Sequence, residues 1–403
     1  MSPVSVDLLS IRGEAAFDIK PDVEAARREG IDIIDLSIGD IQYPLVHNIQ
    51  EIIRVAGQKS LRYGNPIGEL EVREAISCYL SLRSQSLDID PQKVFVSIGA
   101  KGALTSVLRC CIQPGKGDEI ICFQPFFPSY LGIIQLLGAH AIIVPLARVT
   151  RKYQLDYHEL ERSITSRTKA IIVNSPHNPT GSLLTPTDYK ILRELVANTS
   201  IMVIFDEVYY TLTYNGVTRS ALSILADLYE QGQITVIDSL SKSHALPGLR
   251  LGFGVTNSEY VHQIHKIQTH FFSCPPQPTQ AAATLILDNE KTYRHRREQM
   301  KQEFTLRRDL LVKGINDINN FHCSTPEGAI YVYPTLDNID SDLFRKSLLE
   351  LTGVACLDSS GFGDPQSALR LAFSTENTTR LMMALDRIKR IASYVKRTKH
   401  VQS

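Results

Sequence analysis

Residues 168–181 read TKAIIVNSPHNPTG and residues 201–209 read IMVIFDEVY: two short apolar runs, each ending abruptly in polar, chemistry-bearing side chains. Their Ile and Val content suits strands buried on both faces, as in a parallel sheet covered by helices. Working outward from Ala170–Val173 and Ile201–Phe205, similar runs occur at Val94–Ile98, Ile120–Phe123, Ala141–Pro145, Thr235–Ile237 and Leu251–Val255. Longer amphipathic or polar stretches separate them. This alternation predicts an α/β fold, with a large domain built on a mostly parallel seven-stranded sheet between helices. In such a sheet ligands gather beyond the C-terminal strand ends, so the residues that follow each run are the first candidates for function.

The flanks carry a different pattern. Residues 45–85 show helical periodicity around a turn-rich centre, RYGNPIGEL, and residues 258–317 carry a long charged helical pattern. The Arg294–Arg297 cluster there has Glu290, Glu298 and Glu303 nearby, and reads as a solvated helix face. After Pro326-Glu327-Gly328 come a strand-like AIYVYP, a helix at Asp342–Leu351, strands near Val354–Leu357 and Ala368–Phe373, and a final helix Thr378–Lys396. These predict a smaller α+β domain. The expected division is an N-terminal segment (1–44) that joins the small domain, a large domain (45–290) and a small C-terminal domain (291–403).

Composition narrows the function class. The 403 residues hold 43 Lys and Arg against 43 Asp and Glu, a formal net charge of zero. Phosphate-backbone binding needs a cationic surplus, so nucleic acid is not expected as a partner. No window approaches the ~18 consecutive apolar residues of a membrane span. Asp7, Arg12, Glu14 and Asp18 stand where a signal peptide needs an apolar core, so a cytoplasmic protein is expected. The seven cysteines lack C-x-x-C spacing, and most sit in apolar stretches such as LRCCI and EIICF, which reads as reduced core thiols. His262, His265 and His270 share a predicted helix and read as a polar face, so no metal is expected. The expected partner is a small molecule.

Three strand ends concentrate the chemistry. The first run passes into Ser97-Ile98-Gly99-Ala100-Lys101-Gly102-Ala103-Leu104, a glycine turn opening a helix, whose N–H groups suit an anion. The pattern is neither G-x-G-x-x-G nor a P-loop, so neither dinucleotide nor ATP binding is favoured. The fifth run delivers Asp206-Glu207-Val208-Tyr209, and a carboxylate at the end of an apolar strand needs a cationic partner. The sixth delivers Ser239-Leu240-Ser241-Lys242, with Arg250 eight residues further on. A desolvated lysine here has a lowered pKa and can act as a nucleophile. Each fragment alone is compatible with a structural role; their occurrence at the same end of successive strands points to one site.

In this order and spacing, Asn178-Pro179-Thr180-Gly181, Asp206-x-x-Tyr209, Ser239-x-Ser241-Lys242 and Arg250 resemble the fold-type I pyridoxal 5′-phosphate (PLP) enzymes, in particular the class I/II aminotransferase family typified by aspartate aminotransferase. The likeness runs from Leu36-Ser37-Ile38-Gly39 to Leu369-Arg370-Leu371-Ala372-Phe373-Ser374. It implies that Lys242 forms the internal aldimine and shuttles the proton. Asp206 would face the pyridine nitrogen, Asn178 and Tyr209 the phenolic oxygen, and Phe127 the ring face. Gly99, Ala100, Lys101, Ser239, Ser241 and Arg250 would bind the phosphate, Lys101 through its backbone amide and with its ammonium as a mere surface group. Tyr63 would reach the phosphate of the other subunit, which implies a homodimer with shared active sites. Arg370, with Gly39 and Asn178, would bind the substrate carboxylate. The implied reaction moves an amino group from an amino acid to a 2-oxo acid.

Two departures keep another reaction open. Gly39-Asp40-Ile41-Gln42-Tyr43-Pro44 replaces a Glu-Pro-Asp-Phe-like run of many relatives, and Glu14 and Asp18 could meet a cationic side chain. The alternative is PLP-dependent elimination, cyclisation or oxidation of a basic, arginine-like amino acid. A further reading is a catalytically silent binding protein of the same fold, against which the retention of Lys242, Asp206 and Arg370 counts. His177 is read as structural or as a neighbour of the cofactor, and His244 is given no role.

Overall fold

A computed structural model of the protein describes residues 8, 11–43, 49–58, 62–84, 87–150, 152–214 and 219–401. Its central sheet has seven strands: β1 (Val94–Ile98), β2 (Glu119–Gln124), β3 (His140–Pro145), β4 (Thr168–Asn174), β5 (Met202–Asp206), β6 (Ile234–Ser239) and β7 (Leu251–Val255). Across the sheet the order is β1-β7-β6-β5-β4-β2-β3. Neighbours from β6 to β3 pair in parallel, whereas β7 runs antiparallel to both β1 and β6. The mostly parallel α/β architecture expected from the apolar runs is therefore present.

The runs lack polar alternation because both faces are covered. Val203 and Phe205 of β5 enter one core cluster, Met202 and Ile204 the other, and Ile171 and Val173 of β4 alternate with Ala170 and Ile172 in the same way. The strands also extend past the apolar residues. Asn174 pairs with Asp206 across β4 and β5, and Ser239 pairs with Gly252 across β6 and β7, so these polar residues belong to the backbone ladder. Because β7 is reversed, its N-terminal end meets the C-terminal ends of the others. That is why Arg250 precedes its strand while Asp206 and Ser239 close theirs.

A second core forms around the C-terminal part of the chain. The strand Ile34–Asp35 pairs in parallel with Val354–Ala355, bringing the N-terminal segment into it. Leu369–Ala372 pairs with both Tyr331–Val332 and Leu357–Asp358, and the helices Ser341–Thr352 and Thr378–Val401 pack nearby. The predicted 258–317 region is three helices, Ser258–Phe272, Gln277–Leu287 and Glu290–Asn316. Pro275 and Pro276 lie in the first break, as their missing N–H donors require. Part of the predicted 45–85 region, including residues 45–48, lies outside the described residues.

The Arg294–Arg297 reading needs correction. Arg294 is exposed, but Arg297 is buried, ion-paired with Glu290 and donating from Nη1 to His244 Nε2 at 3.0 Å. Glu290 lies two helical turns away on the same face, which turns Arg297 inward. Cys78 is exposed rather than in the core, whereas Cys122, Cys323 and Cys356 are buried. Among the described residues no helix is long and apolar enough to cross a membrane.

Behind the sheet ends, Arg83 on the helix Leu70–Ser84 is ion-paired with both Glu207 and Asp238, and its guanidinium carbon lies 3.8 Å from the Tyr210 ring centroid. Glu207 also accepts from Ser220 Oγ at 2.8 Å and Ala221 N at 2.7 Å. Burial pushes the Asp238 carboxyl up to about 6, against the pull of Arg83. Removing the shared cation strands two buried carboxylates. Arg83→Met is therefore expected to lower the unfolding free energy by about 3–5 kcal/mol; a denaturant midpoint unchanged from wild type would refute this.

Candidate active site

The glycine turn after β1 leads into α1 (Gly99–Cys111). Gly99 has φ +69° and its N–H donates to the Arg250 carbonyl at 3.0 Å. A Cβ added to Gly252 would lie 2.1 Å from Gly99 C and 2.3 Å from Ala100 N, so β7 can approach this turn only as glycine. Ser239 closes β6, and its Oγ accepts from Ser241 N at 3.3 Å. Arg250 sits in the left-handed region at φ +52° and makes no ion pair among the described residues. Ala100, Lys101, Ser239, Ser241 and Arg250 line one cavity of about 490 Å³. Backbone amides, two hydroxyls and an unneutralised guanidinium make this end an anion cup.

The same cavity is bounded by Asp206. Its Oδ2 accepts from Tyr130 Oη at 2.6 Å and its Oδ1 from Val208 N at 3.3 Å, but no cation pairs with it among the described residues. Burial pushes its carboxyl up to about 6, with the Tyr130 bond pulling the other way. Lys242 follows the cup serines, and its Nζ donates to the Gly39 carbonyl. Burial lowers its pKa to about 8; Asp40 opposes this, and Arg370 and Arg250 add to it. The amine is thus partly neutral near neutral pH, which a nucleophile requires.

Asn178, Tyr209 and Phe127 also line the cavity. Tyr209 Oη meets Tyr331 Oη at 2.8 Å, and the Phe127 ring stands edge-on to Tyr130 at 5.4 Å between centroids. Arg370 is buried: Nη1 donates to Asn178 Oδ1 at 3.2 Å and Nη2 to the Ser37 carbonyl at 2.6 Å. Its Nε has no partner among the described residues. The guanidinium carbon lies 4.2 Å from the Tyr331 ring centroid and 4.9 Å from that of Phe362. A guanidinium with a spare buried donor suits a carboxylate.

The structure gathers most of the sequence candidates into one cavity, Gly39 included, with Gly99 directly behind the cup. Tyr63 stands apart, 88% exposed. Lys101 differs from its expected role as a bare surface ammonium: its Nζ is ion-paired with Glu14. Glu14 is therefore committed to a cation, and Asp18 is exposed and off the cavity wall, so neither stands ready for a cationic side chain. Pro44 lies outside the described residues. His177 is buried with Nδ1 2.8 Å from Thr180 Oγ1, and burial lowers it to about 4, so it is neutral. Sequence reasoning missed Tyr130, although it stood in the run that gave Phe127, and missed Tyr331 and the Ser37 carbonyl, which reach the site from distant segments.

These residues fit PLP. The cavity joins an anion cup, a buried amine and a buried carboxylate that lacks a cation, which match the cofactor's phosphate, aldehyde and protonated ring nitrogen.

The family described as aminotransferase class I and II matches residues 31–388. The aspartate aminotransferase of Thermotoga maritima is 31% identical over 374 residues, covering 93% of this chain and 95% of that one. That of Bacillus subtilis is 29% identical over 369 residues, covering 90% and 91%. Among solved structures, the Thermotoga maritima aspartate aminotransferase gives a TM-score of 0.88 at 30% identity, over 97% of this chain and 100% of that one. The aromatic aminotransferase of Pyrococcus horikoshii gives 0.84 at 29% identity, over 93% and 99%.

The glycine contact gives a test independent of catalysis. Gly252→Ala must force β7 away from Gly99 and Ala100 and open the anion cup. PLP affinity of the purified protein, followed by visible absorbance, is expected to fall by about tenfold or more, a loss of about 1.4 kcal/mol; unchanged affinity would sink this account of the cup.

Proposed function

The chain belongs to the class I and II aminotransferase family and is a PLP-dependent enzyme of fold type I, and from that premise we propose how its residues move an amino group from an amino acid to a 2-oxo acid. The observation that carries the reading is the Lys242 amine, lowered to about 8, in one cavity with Asp206, Arg250 and Arg370. Bound PLP supplies an aldehyde for covalent attachment and a ring that takes up electrons from the substrate Cα.

Lys242 would hold the cofactor covalently, and the Ala100 and Lys101 amides, Ser239, Ser241 and Arg250 would hold its phosphate. Asp206, steadied by Tyr130, would keep the ring nitrogen protonated, and a cation there favours the ionised carboxylate. Asn178 and Tyr209 would donate to the phenolic oxygen, and Phe127 would cover the ring. Arg370 binds the substrate α-carboxylate and so orients Cα beside Lys242. Once freed by the incoming substrate amine, Lys242 Nζ would carry the proton that leaves Cα, since the free amine's pKa lies near neutrality.

The reported relatives are named as aminotransferases, and elimination, cyclisation or oxidation of a basic amino acid gains no support. The silent reading also lacks support, because the amine, carboxylate and guanidinium of a working site face one cavity.

Three finer readings belong with this proposal. A homodimer is supported by the exposed Tyr63 ring and by Phe271, 54% exposed; their segments are joined by Gly64 N–H donating to Cys274 Sγ at 3.3 Å. A cytoplasmic location is supported by the buried thiols of Cys122, Cys323 and Cys356. The division near residues 44 and 290 is supported by Ile34, Leu36 and Ile41, which share a cluster with Met300 and Phe304, whereas Tyr293 packs with Ile52 and Ile286 in another.

Lys242→Ala is expected to remove turnover and the visible absorbance of the lysine-bound cofactor, and activity surviving in that variant would overturn the mechanism. Uptake of PLP by the stripped protein should accelerate as pH rises through about 8, where Lys242 loses its proton. A flat profile would reject the lowered pKa. If Tyr63 serves the neighbouring subunit, mixing Lys242→Ala with Tyr63→Ala chains should restore roughly a quarter of wild-type activity, because each hybrid has one intact site. No restoration would place Tyr63 elsewhere.

A further inference from the structure

The substrate side chain must lie against cavity wall that the cofactor and the α-carboxylate leave unused. Four cations line the cavity: Lys101, Lys242, Arg250 and Arg370. The roles above commit the last three, so Lys101 is the one remaining positive group on the described wall. Its charge is already neutralised within the protein. Nζ is ion-paired with Glu14 and lies 5.2 Å from the Phe127 ring centroid and 5.7 Å from that of Phe17. Glu14 Oε2 also accepts from Ser129 Oγ at 2.5 Å, which fixes the carboxylate on that side of the cavity.

The anions are Glu14, Asp40 and Asp206, the last committed to the ring nitrogen. Beyond those roles the wall carries the Lys101–Glu14 pair, which neutralises itself, and Asp40, whose charge acts on Lys242. The other uncommitted lining groups include Ala16, Phe17, Ile38 and Leu104, an apolar surface. A substrate carboxylate at Lys101 would have to share the ammonium with Glu14 and would meet the negative charges of Glu14 and Asp40 in the same cavity. A substrate cation would find Glu14 occupied and the Lys101 ammonium beside it.

We propose that Glu14 is a specificity-determining residue: by neutralising Lys101 it directs the enzyme toward amino acids with uncharged, chiefly apolar side chains and against dicarboxylic ones. The proposal rests on reading the cavity as the amino-acid site. It makes the charge of Lys101 unavailable rather than absent.

The test uses the PLP-loaded enzyme with phenylalanine, leucine, aspartate, glutamate and arginine as donors to one common 2-oxo acid. Binding of the unreactive acids succinate and 3-phenylpropanoate is measured by calorimetry. In wild type, kcat/KM for phenylalanine or leucine should exceed that for the three charged donors by about tenfold or more. In Glu14→Gln the ratio of aspartate to phenylalanine kcat/KM should rise about tenfold, with succinate binding tightened in step. Adding Lys101→Met should cancel both gains. Glu14→Ala serves as a second variant, with thermal melting to verify folding. A wild-type preference for aspartate, glutamate or arginine, or a ratio that Glu14→Gln leaves unmoved, overturns the proposal. Should no donor convert the loaded enzyme to its amine form, the aminotransferase reading fails instead, and the two failures are thereby distinguished.

Discussion

The backbone ladder that pairs Asn174 with Asp206, and Asp206 with Ile237, is the constraint on which the site depends. Hydrogen-bonded strands hold their ends to a fixed offset, so side chains at those ends keep their spacing without support from a loop. Reversing β7 adds a further group to the same edge. It brings Arg250 to the C-terminal ends of its neighbours and sets Gly252 against the turn that opens α1. A parallel strand in that place would send the residue preceding it to the opposite edge of the sheet.

The two-residue period of a strand then sorts charge between the two faces. Ile204 and Ile237 lie in the cluster that contains Tyr130, and the next residues on that side are Asp206 and Ser239, both on the cavity. Phe205 and Val236 lie in the opposite cluster, and the next residues on their side are Glu207 and Asp238, both paired with Arg83. Adjacent carboxylates thus carry different work. Asp206 faces the cavity with no cation paired to it among the described residues, whereas Glu207 has a protein cation built in. A slip of one residue would exchange them, so the buried pair behind the sheet also penalises the wrong register.

Much of this was legible in the sequence, for reasons particular residues make plain. The strands could be read because burial on both faces leaves uninterrupted apolar runs, and Val94–Ile98 and Leu251–Val255 match the observed strands at both ends. Their neighbours were read short, because Asn174, Asp206 and Ser239 are polar and so resemble loop residues while still pairing in the ladder. Lys242, Asp206 and Arg250 could be found because local spacing ties each to a strand end. Tyr331 could not: it meets Tyr209 across 122 positions and leaves no local signature. Glu14 and Lys101 are 87 positions apart, and either alone reads as a solvated charge. Arg297 was misread for the same reason, since its burial depends on His244, 53 positions away.

That last contact shows how the lysine is supported from the side away from the cavity. Arg297 can only donate, so His244 Nε2 accepts. Burial, and then the Arg297 charge, hold His244 well below the usual imidazole range, so the ring is neutral and its proton resides on Nδ1. Nδ1 then donates to Ser243 Oγ at 2.8 Å, and Ser243 Oγ donates to the Ser239 carbonyl at 3.0 Å. Each donor in this chain has one assigned direction, from Glu290-paired Arg297 to the backbone of a cup residue. A protonated His244 would set two cations against each other and break that order. The segment bearing Ser239, Ser241 and Lys242 is therefore anchored by a neutral ring, which leaves Lys242 as the group in this segment that changes charge near neutral pH.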